Sequence, residues 1–141
     1  MNTKPMKLLF LCTGNSCRSI MAEGITNQYS NGRYLAFSAG SAPTGSVHPK
    51  AIETLASHGI KPKAPRSKSW NEFKLEPIDL VITVCDQAAR KSCPIFAGHP
   101  KKLHWNIPDP AKVKGSEMQI NTAFEDVFSQ LKQLIEKELL S

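Results

Sequence analysis

The chain lacks any long apolar run and any segment that would direct it into a membrane. No stretch approaches the roughly 20 consecutive apolar residues that a membrane-spanning helix needs, and residues 1–6 are too short and polar for a signal peptide. The 141 residues contain only four cysteines. We therefore expect a cytoplasmic protein without a membrane partner, whose thiols are catalytic, redox-active or metal-binding rather than paired in structural disulfides.

Negative charge is also scarce, because 12 acidic residues stand against 18 lysines and arginines. The resulting net charge of +6 would suit a nucleic acid, but the basic residues are dispersed and no basic run is interleaved with aromatic residues. We therefore predict no nucleic-acid partner and interpret the charge as a solvated surface with a bias toward anions. There is no internal repeat, and the length fits one domain, residues 1–141.

What the chain does contain is an alternation of strand-like and helix-like segments. Apolar runs predict four strands, over residues 7–11, 34–38, 78–84 and 103–105. Helical periodicity follows the first strand, begins again at Pro49, and returns after Ser116, which can form a capping box with Gln119. The alternation predicts an α/β fold, a single domain with a four-stranded parallel sheet and helices on both faces.

The first predicted strand leads into a loop rich in reactive and hydrogen-bonding residues. Cys12 stands where the strand ends, and Arg18 follows after five intervening residues, where helical periodicity begins. A helix N-terminus leaves backbone N–H groups unpaired and carries partial positive charge, which suits a tetrahedral anion and favours a thiolate. Arg18 adds a planar fork of donors, Gly14 allows a positive φ, and Ser19 can donate a hydrogen bond to the sulfur. We predict that Cys12 is a nucleophile in an oxyanion site. The residues predicted to bind the oxyanion are Thr13, Gly14, Asn15, Ser16, Cys17, Arg18 and Ser19.

Three further residues follow predicted strands and are expected near the same site. The carboxyl ends of parallel strands lie at one edge of a sheet, where ligands bind. Ser38 ends the second predicted strand and Cys85 follows the third, so we expect both to face the crevice of Cys12. Asp109 lies between two prolines after the last strand. A carboxylic acid on that loop could protonate a departing oxygen.

The other cysteines allow more than one interpretation. Cys85 and Cys93 share one polar segment and could meet, or they could be incidental thiols. A zinc site that used them with His99 and His104 would have a spacing far wider than structural zinc sites show, so we predict no metal. Cys17 could be a resolving thiol for the nucleophile, or a small residue that points into the core.

These motifs together resemble the arsenate reductases that are built on the low-molecular-weight protein tyrosine phosphatase fold, and the resemblance spans nearly the whole chain. It rests on Cys12 to Ser19, Met21 to Gly24, Phe37 to Gly40, Val84-Cys85, Cys93-Pro94, and His104-Trp105 leading into Asp109-Pro110-Ala111. Tyrosine phosphatases of this fold usually carry aromatic residues directly after the Asp-Pro pair, to sandwich a phenol ring. Here Ala111 and Lys112 take those places.

The resemblance implies a thiol relay that converts arsenate to arsenite, for arsenic detoxification. Cys12 attacks arsenate held by the loop amides and Arg18, while Asp109 protonates the leaving oxygen. Cys85 then attacks the Cys12 sulfur, arsenite departs with the electron pair, and Cys93 closes a disulfide with Cys85. No bound cofactor is implied. An external thiol reductant, either thioredoxin or glutathione with glutaredoxin, would reduce the disulfide.

Several alternatives stay open at this point. The spacing of Cys85 and Cys93 is one residue wider than in thioredoxin-coupled members, so the reductant is undecided. Lys68 falls where some members have an aspartate of a potassium site, and we therefore predict no potassium ion. The alternative activity is that of a tyrosine phosphatase that hydrolyses phosphomonoesters through a phospho-cysteine on Cys12. A third possibility is a non-catalytic oxyanion-binding protein. We expect a monomer.

Overall fold

The computed structural model describes residues 4–85, 96–97 and 99–141. Within them the strands are β1 (Met6–Cys12), β2 (Tyr34–Gly40), β3 (Leu80–Thr83) and β4 (Lys101–His104). The α-helices are α1 (Arg18–Tyr29), α2 (Pro49–Ser57) and α3 (Glu117–Ile135). Short 3₁₀ helices cover Trp70–Phe73 and Pro110–Lys112, and a π-helical turn over Glu136–Leu140 follows α3. No helix in the described part of the chain is long and apolar enough to cross a membrane.

The four strands form one parallel sheet in the order β2-β1-β3-β4, which confirms the predicted fold class. Cys12, the last residue of β1, pairs with Gly40, the last residue of β2. On the other side Leu11 pairs with Thr83 at the end of β3, and Thr83 pairs with His104 at the end of β4. All four strands therefore end at the same edge, where the loop after Cys12 begins.

Both faces of the sheet are covered, and β1 divides its side chains between them. Leu8, Phe10 and Cys12 point to the larger core, which they share with residues of α1, α2 and α3. Leu9 and Leu11 point to the opposite face, into a smaller core that includes a residue of the 3₁₀ helix Trp70–Phe73. This alternation follows from the two-residue period of a strand, and burial on both sides explains why β1 reads as a continuous apolar run.

The helix and strand ends differ from the sequence predictions by a few residues, apart from those with a capping signal. The capping box of α3 is present, since Ser116 Oγ accepts from Gln119 N at 3.1 Å and Gln119 Oε1 accepts from Ser116 N at 2.8 Å. Strand β3 is shorter than the apolar run over 78–84. Strand β4 begins two residues before the predicted 103–105, at two exposed lysines whose polarity hides the strand in the sequence.

Candidate active site

The loop between β1 and α1 is held by hydrogen bonds that engage its backbone carbonyl groups. The donors are backbone N–H groups of the segment 41–48, which runs alongside. The donor–acceptor pairs are Ser41 to Cys12 (3.3 Å), Ala42 to Thr13 (2.9 Å), Thr44 to Gly14 (3.0 Å) and His48 to Ser16 (3.0 Å). In a trans peptide the C=O and N–H point in opposite directions, so anchoring the carbonyls outward directs the following N–H groups into the loop. This arrangement suits an anion.

The sulfur of Cys12 accepts hydrogen bonds at the floor of this loop. The backbone N of Asn15 donates to it at 3.3 Å, and the Ser19 hydroxyl lies 2.9 Å away. Asn15 Nδ2 donates to the Ser19 oxygen at 2.8 Å, and when Cys12 is a thiolate its sulfur can only accept, so the Ser19 hydroxyl then donates to it. Cys12 is only 4% exposed. A thiolate at this position is therefore stabilised by two donors, as a nucleophile requires.

Asn15 is the residue that fixes the shape of the loop. Its backbone has a φ of 47°, in the left-handed region that asparagine tolerates better than most residues. Its Oδ1 accepts a hydrogen bond from Lys68 N at 2.8 Å, which leaves Nδ2 as the group that faces Ser19. The expectation that Gly14 takes the positive φ is therefore wrong, since Asn15 takes it.

Two glycines matter at the site because of the space beside them. A Cβ on Gly14 would lie 3.1 Å from Thr44 Cγ2, closer than most Cβ contacts. A Cβ on Gly40 would lie 2.5 Å from the backbone oxygen of Thr13, which no side chain can tolerate. Gly40 brings β2 close to the loop; the family resemblance includes this glycine, but Gly40 is not among the predicted site residues.

Arg18 and Asp109 come together at the mouth of the loop. Arg18 Nη1 donates to the backbone oxygen of Ile107 at 3.0 Å, which ties the Asp109 loop to the start of α1. Arg18 Nη2 lies 3.7 Å from Asp109 Oδ2, while Asp109 Oδ1 accepts from Ala111 N at 3.0 Å. Arg18 is 7% exposed. The predicted acid and the predicted anion-binding arginine therefore share one site.

These groups surround a cavity of about 380 Å³. Its lining consists of Cys12, Thr13, Gly14, Ser16, Cys17, Arg18, Ala42, Thr44, Asp109, Ala111 and Lys112. Of the predicted oxyanion-binding residues, Asn15 and Ser19 are fully buried behind this surface, where Asn15 N and the Ser19 hydroxyl contact the Cys12 sulfur. The small side chains at the rim leave the cavity without an aromatic wall among the described residues.

Of the other three cysteines, the structure describes Cys17 and Cys85. Cys85 is 2% exposed and follows Val84, whose N donates to the backbone oxygen of Leu11 at 2.8 Å. Cys85 is therefore beside the end of β1, but it is not among the described residues that line the cavity. Cys93 lies outside the described residues. Cys17 is a buried thiol in the larger core, and burial raises its pKa to about 11.

Ser38 does not face the crevice, contrary to expectation. It lies two residues before the end of β2, is fully buried, and donates its hydroxyl to the Glu23 carboxylate. Burial raises the pKa of Glu23, while the Ser38 bond and the charge of Lys68 oppose the shift. Burial likewise lowers the pKa of Lys68. In the described part of the chain, no three His, Cys, Asp or Glu side chains are placed to hold a metal ion.

A buried cysteine at the end of a parallel strand, inside a loop whose geometry suits an anion and with a carboxyl group at its mouth, is typical of cysteine-dependent enzymes that act on tetrahedral oxyanions. The chain belongs to the low molecular weight phosphotyrosine protein phosphatase family, whose model matches residues 7–140. The family includes more than one chemistry, as the individual relatives show.

Named relatives of both chemistries resemble this chain over most of its length. The arsenate reductase of Bacillus subtilis (strain 168) is 38% identical over 124 residues, which cover 88% of each chain. The crystal structure of an arsenate reductase from Archaeoglobus fulgidus DSM 4304 has 28% identity and a TM-score of 0.70, covering 91% of this chain and 98% of that one. A low molecular weight protein tyrosine phosphatase from T. tengcongensis has 29% identity and a TM-score of 0.75, covering 94% and 96%.

Proposed function

We propose that the protein is an arsenate reductase that uses a cysteine thiol relay. The observation that carries the proposal is the cavity above Cys12, which combines a nucleophile, an anion-binding arginine and an acid with a rim of small side chains. That space fits an inorganic tetrahedral anion. Relatives that cover most of the chain and are named arsenate reductases support the same activity.

The first step is attack by Cys12 on the arsenic atom. The loop N–H groups and Arg18 hold the arsenate oxygens, and Asn15 N and the Ser19 hydroxyl contact the sulfur that attacks. Asp109 gives a proton to the oxygen that leaves as water or hydroxide. The product is a covalent adduct in which the Cys12 sulfur is bound to pentavalent arsenic.

The second step transfers electrons from sulfur to arsenic. The Cys85 thiolate attacks the Cys12 sulfur and forms a Cys12–Cys85 disulfide, while the sulfur–arsenic bond breaks and trivalent arsenite departs with the electron pair. Cys93 then attacks Cys85, which frees Cys12 and leaves a disulfide between Cys85 and Cys93. The position of Cys85 supports this role, because the hydrogen bond from Val84 to β1 places it beside the strand that carries Cys12.

An external thiol reductant completes the cycle by reducing the Cys85–Cys93 disulfide. Thioredoxin, or glutathione with glutaredoxin, supplies these electrons in a reducing compartment such as the cytoplasm. The enzyme needs no bound cofactor and no metal for this chemistry, and it acts as a monomer. The buried, protonated Cys17 is outside the relay, since a thiol with a pKa of about 11 is a poor nucleophile near neutral pH.

Phosphatase activity toward aryl phosphates is the second candidate, because it shares the first step. The solved phosphatase structure that matches this chain supports it. In that reaction water releases phosphate from the phospho-cysteine, since thiols do not readily reduce phosphorus(V). Ala42, Thr44 and Ala111 at the rim give a phenol ring little surface on which to stack, which disfavours this activity.

A single-turnover experiment separates the two activities. Fully reduced protein is mixed with arsenate under anaerobic conditions without any external reductant, arsenite is quantified, and disulfides are mapped by peptide mass spectrometry. About one arsenite per chain with a disulfide between Cys85 and Cys93 supports the relay. Cys12→Ser abolishes arsenite formation and aryl phosphate hydrolysis, whereas Cys85→Ser and Cys93→Ser spare hydrolysis.

Cys17→Ser is the matched control, and it retains arsenite formation. Arsenite yields that stay at background in the wild-type chain, together with rapid hydrolysis of aryl phosphate, would contradict the proposal and favour the phosphatase. Anion binding without either chemistry after full thiol reduction would favour a binding protein.

A further inference from the structure

The peptide unit between Gly14 and Asn15 carries the backbone N–H that faces the nucleophile. Asn15 N donates to the Cys12 sulfur at 3.3 Å, and it belongs to the same planar unit as the Gly14 carbonyl. That carbonyl oxygen accepts two hydrogen bonds, from Thr44 N at 3.0 Å and from the Ser67 hydroxyl at 2.9 Å. The direction of the N–H therefore depends on the groups that hold the carbonyl on the other side of the unit.

The partners of Ser67 fix the direction of both its hydrogen bonds. Gly45 N can only donate, and it donates to Ser67 Oγ at 3.2 Å. Gly14 O can only accept, so the single hydroxyl proton of the half-buried Ser67 points at that oxygen. The hydroxyl therefore joins the segment 41–48 to the loop after β1.

The Gly14–Asn15 peptide unit has a second orientation that would relax the backbone. Asn15 has a φ of 47°, in the left-handed region that costs a residue with a side chain free energy. Turning a peptide unit over by roughly 180° changes mainly the ψ before it and the φ after it, as between turns of types I and II. The φ of Asn15 would become negative, and a glycine at position 14 accepts the change of ψ at little steric cost. The turned unit would direct its carbonyl oxygen, instead of the N–H, at the sulfur.

We propose that Ser67 is a positioning residue for the Cys12 nucleophile. Its hydroxyl holds the Gly14–Asn15 peptide unit against this rotation and keeps the Asn15 N–H directed at the sulfur. A hydrogen bond to the carbonyl also polarises the amide, which strengthens the N–H as a donor. Ser67 is not among the described residues that line the cavity, so it acts through the peptide unit. The inference deepens the proposed function and rests on it for the reaction that Cys12 performs.

The pH dependence of Cys12 alkylation tests this role without any reduction of arsenate. Reduced protein is treated with iodoacetamide over a range of pH, and modified Cys12 is quantified by peptide mass spectrometry. In Ser67→Ala the midpoint of the pH–rate profile should rise by about 0.3–1 unit, which is a roughly two- to tenfold lower rate below the midpoint. Ser67→Thr keeps the hydroxyl and should retain the wild-type midpoint. The other ionisable side chains that line the cavity are the same in every variant, namely Cys17, Arg18, Asp109 and Lys112.

Ser69→Ala is the matched control, because this serine lies two residues away and its hydroxyl has a different partner. Ser69 Oγ accepts from Asn71 N at 3.1 Å, where the 3₁₀ helix Trp70–Phe73 begins. Loss of this cap should destabilise the fold and leave the midpoint for Cys12 unchanged. A loss of stability alone would therefore not reproduce the effect of Ser67→Ala.

Amide hydrogen exchange followed by NMR gives a second readout, since the Asn15 N–H should exchange faster in Ser67→Ala while the amides of β1 keep their protection. The proposal is overturned if Ser67→Ala leaves the midpoint or the Asn15 exchange rate unchanged, if Ser69→Ala moves the midpoint equally, or if Ser67→Thr behaves as Ser67→Ala. A Ser67 effect in a chain that produces no arsenite would sustain this inference and reject the reductase. Arsenite formation without any Ser67 effect would reject this inference alone.

Discussion

Asn15 Nδ2 donates a hydrogen bond to the hydroxyl oxygen of Ser19 at 2.8 Å, and neither side chain is exposed to solvent. A residue outside the loop sets the orientation of the Asn15 amide group. Lys68 N can only donate, and it donates to Asn15 Oδ1, so Nδ2 is the atom that faces Ser19. When Cys12 is a thiolate, the chain of donors therefore runs in one sense, from Lys68 through Asn15 and Ser19 to the Cys12 sulfur. Each donor stabilises negative charge on that sulfur.

Replacing Ser19 tests the last bond of this chain. Ser19→Ala removes the hydroxyl that faces Cys12, and a hydrogen bond to a charged group contributes roughly 1.5–3 kcal/mol. We expect the rate of Cys12 alkylation by iodoacetamide at pH 7 and the turnover of arsenate both to fall roughly 10- to 100-fold. Ser16→Ala is the control, because its hydroxyl contacts the Cys17 sulfur at 3.6 Å instead. Equal losses in the two variants would show that the Ser19 hydroxyl has no special role.

Replacing Asn15 should affect stability and activity together. Asn15→Ala leaves the Lys68 N–H without its acceptor and places alanine at a φ of 47°, so we expect the free energy of unfolding to fall by about 2–4 kcal/mol. Turnover should fall at least tenfold, and urea unfolding with arsenate assays measures both. Asn27→Ala is the control, since Asn27 bonds the backbone of Ala36 far from the loop. It should lose stability and keep its turnover.

The Cys17 thiol predicts a specific pH dependence of stability. Burial raises its pKa from 9.0 to about 11, so the folded protein resists deprotonation that the unfolded chain permits. The contribution of this group is fully present below pH 9 and is lost as the pH rises toward 11. As the pH rises from 8 to 10.5, we expect deprotonation of this thiol in the unfolded chain to lower the free energy of unfolding by about 2 kcal/mol. Urea unfolding should show a shallower loss in Cys17→Ala over the same range; parallel curves would contradict the buried thiol.

Gly40 tests how closely β2 must approach the loop. Gly40→Ala places a Cβ 2.5 Å from the Thr13 oxygen, so the loop or the strand has to move. We expect a loss of at least about 2 kcal/mol in the free energy of unfolding and a turnover reduced more than tenfold. Gly32→Ala is the control, because Gly32 precedes the opposite end of β2 and has open space but a φ of 84°, which costs a residue with a side chain about 1–2 kcal/mol. That variant should keep its activity.

The parts of the fold with local signals could be predicted from the sequence. Strand β1 and the start of α1 follow from an apolar run and a turn cluster, and Ser116 with Gln119 marks the start of α3 because both caps lie within one helical turn. The sequence predicts the start of strand β4 two residues after its actual start, because the strand begins with two exposed lysines at the edge of the sheet. Edge strands tolerate such residues, which weakens the apolar pattern.

The parts of the site that depend on distant contacts could not be predicted. Lys68 reaches Asn15 across 53 positions, and Arg18 reaches the Ile107 oxygen across 89. Both involve backbone atoms, which every residue has, so no residue type marks them in the sequence. The nucleophile, the arginine and the acid could be predicted because their side chains are chemically distinctive. Their mutual positions could not, because tertiary packing decides them.

The carbonyl groups of the loop after β1 are anchored by the segment 41–48, and this places the information for the anion site in two stretches of chain. A graft of residues 12–19 onto another α/β scaffold would carry the nucleophile and the arginine but not the donors that turn the carbonyls outward. Natural variation along 41–48 can likewise reshape the anion site while the reactive residues stay the same. An engineer who wishes to alter the oxyanion preference therefore has a second stretch of chain to redesign, one that holds no reactive group.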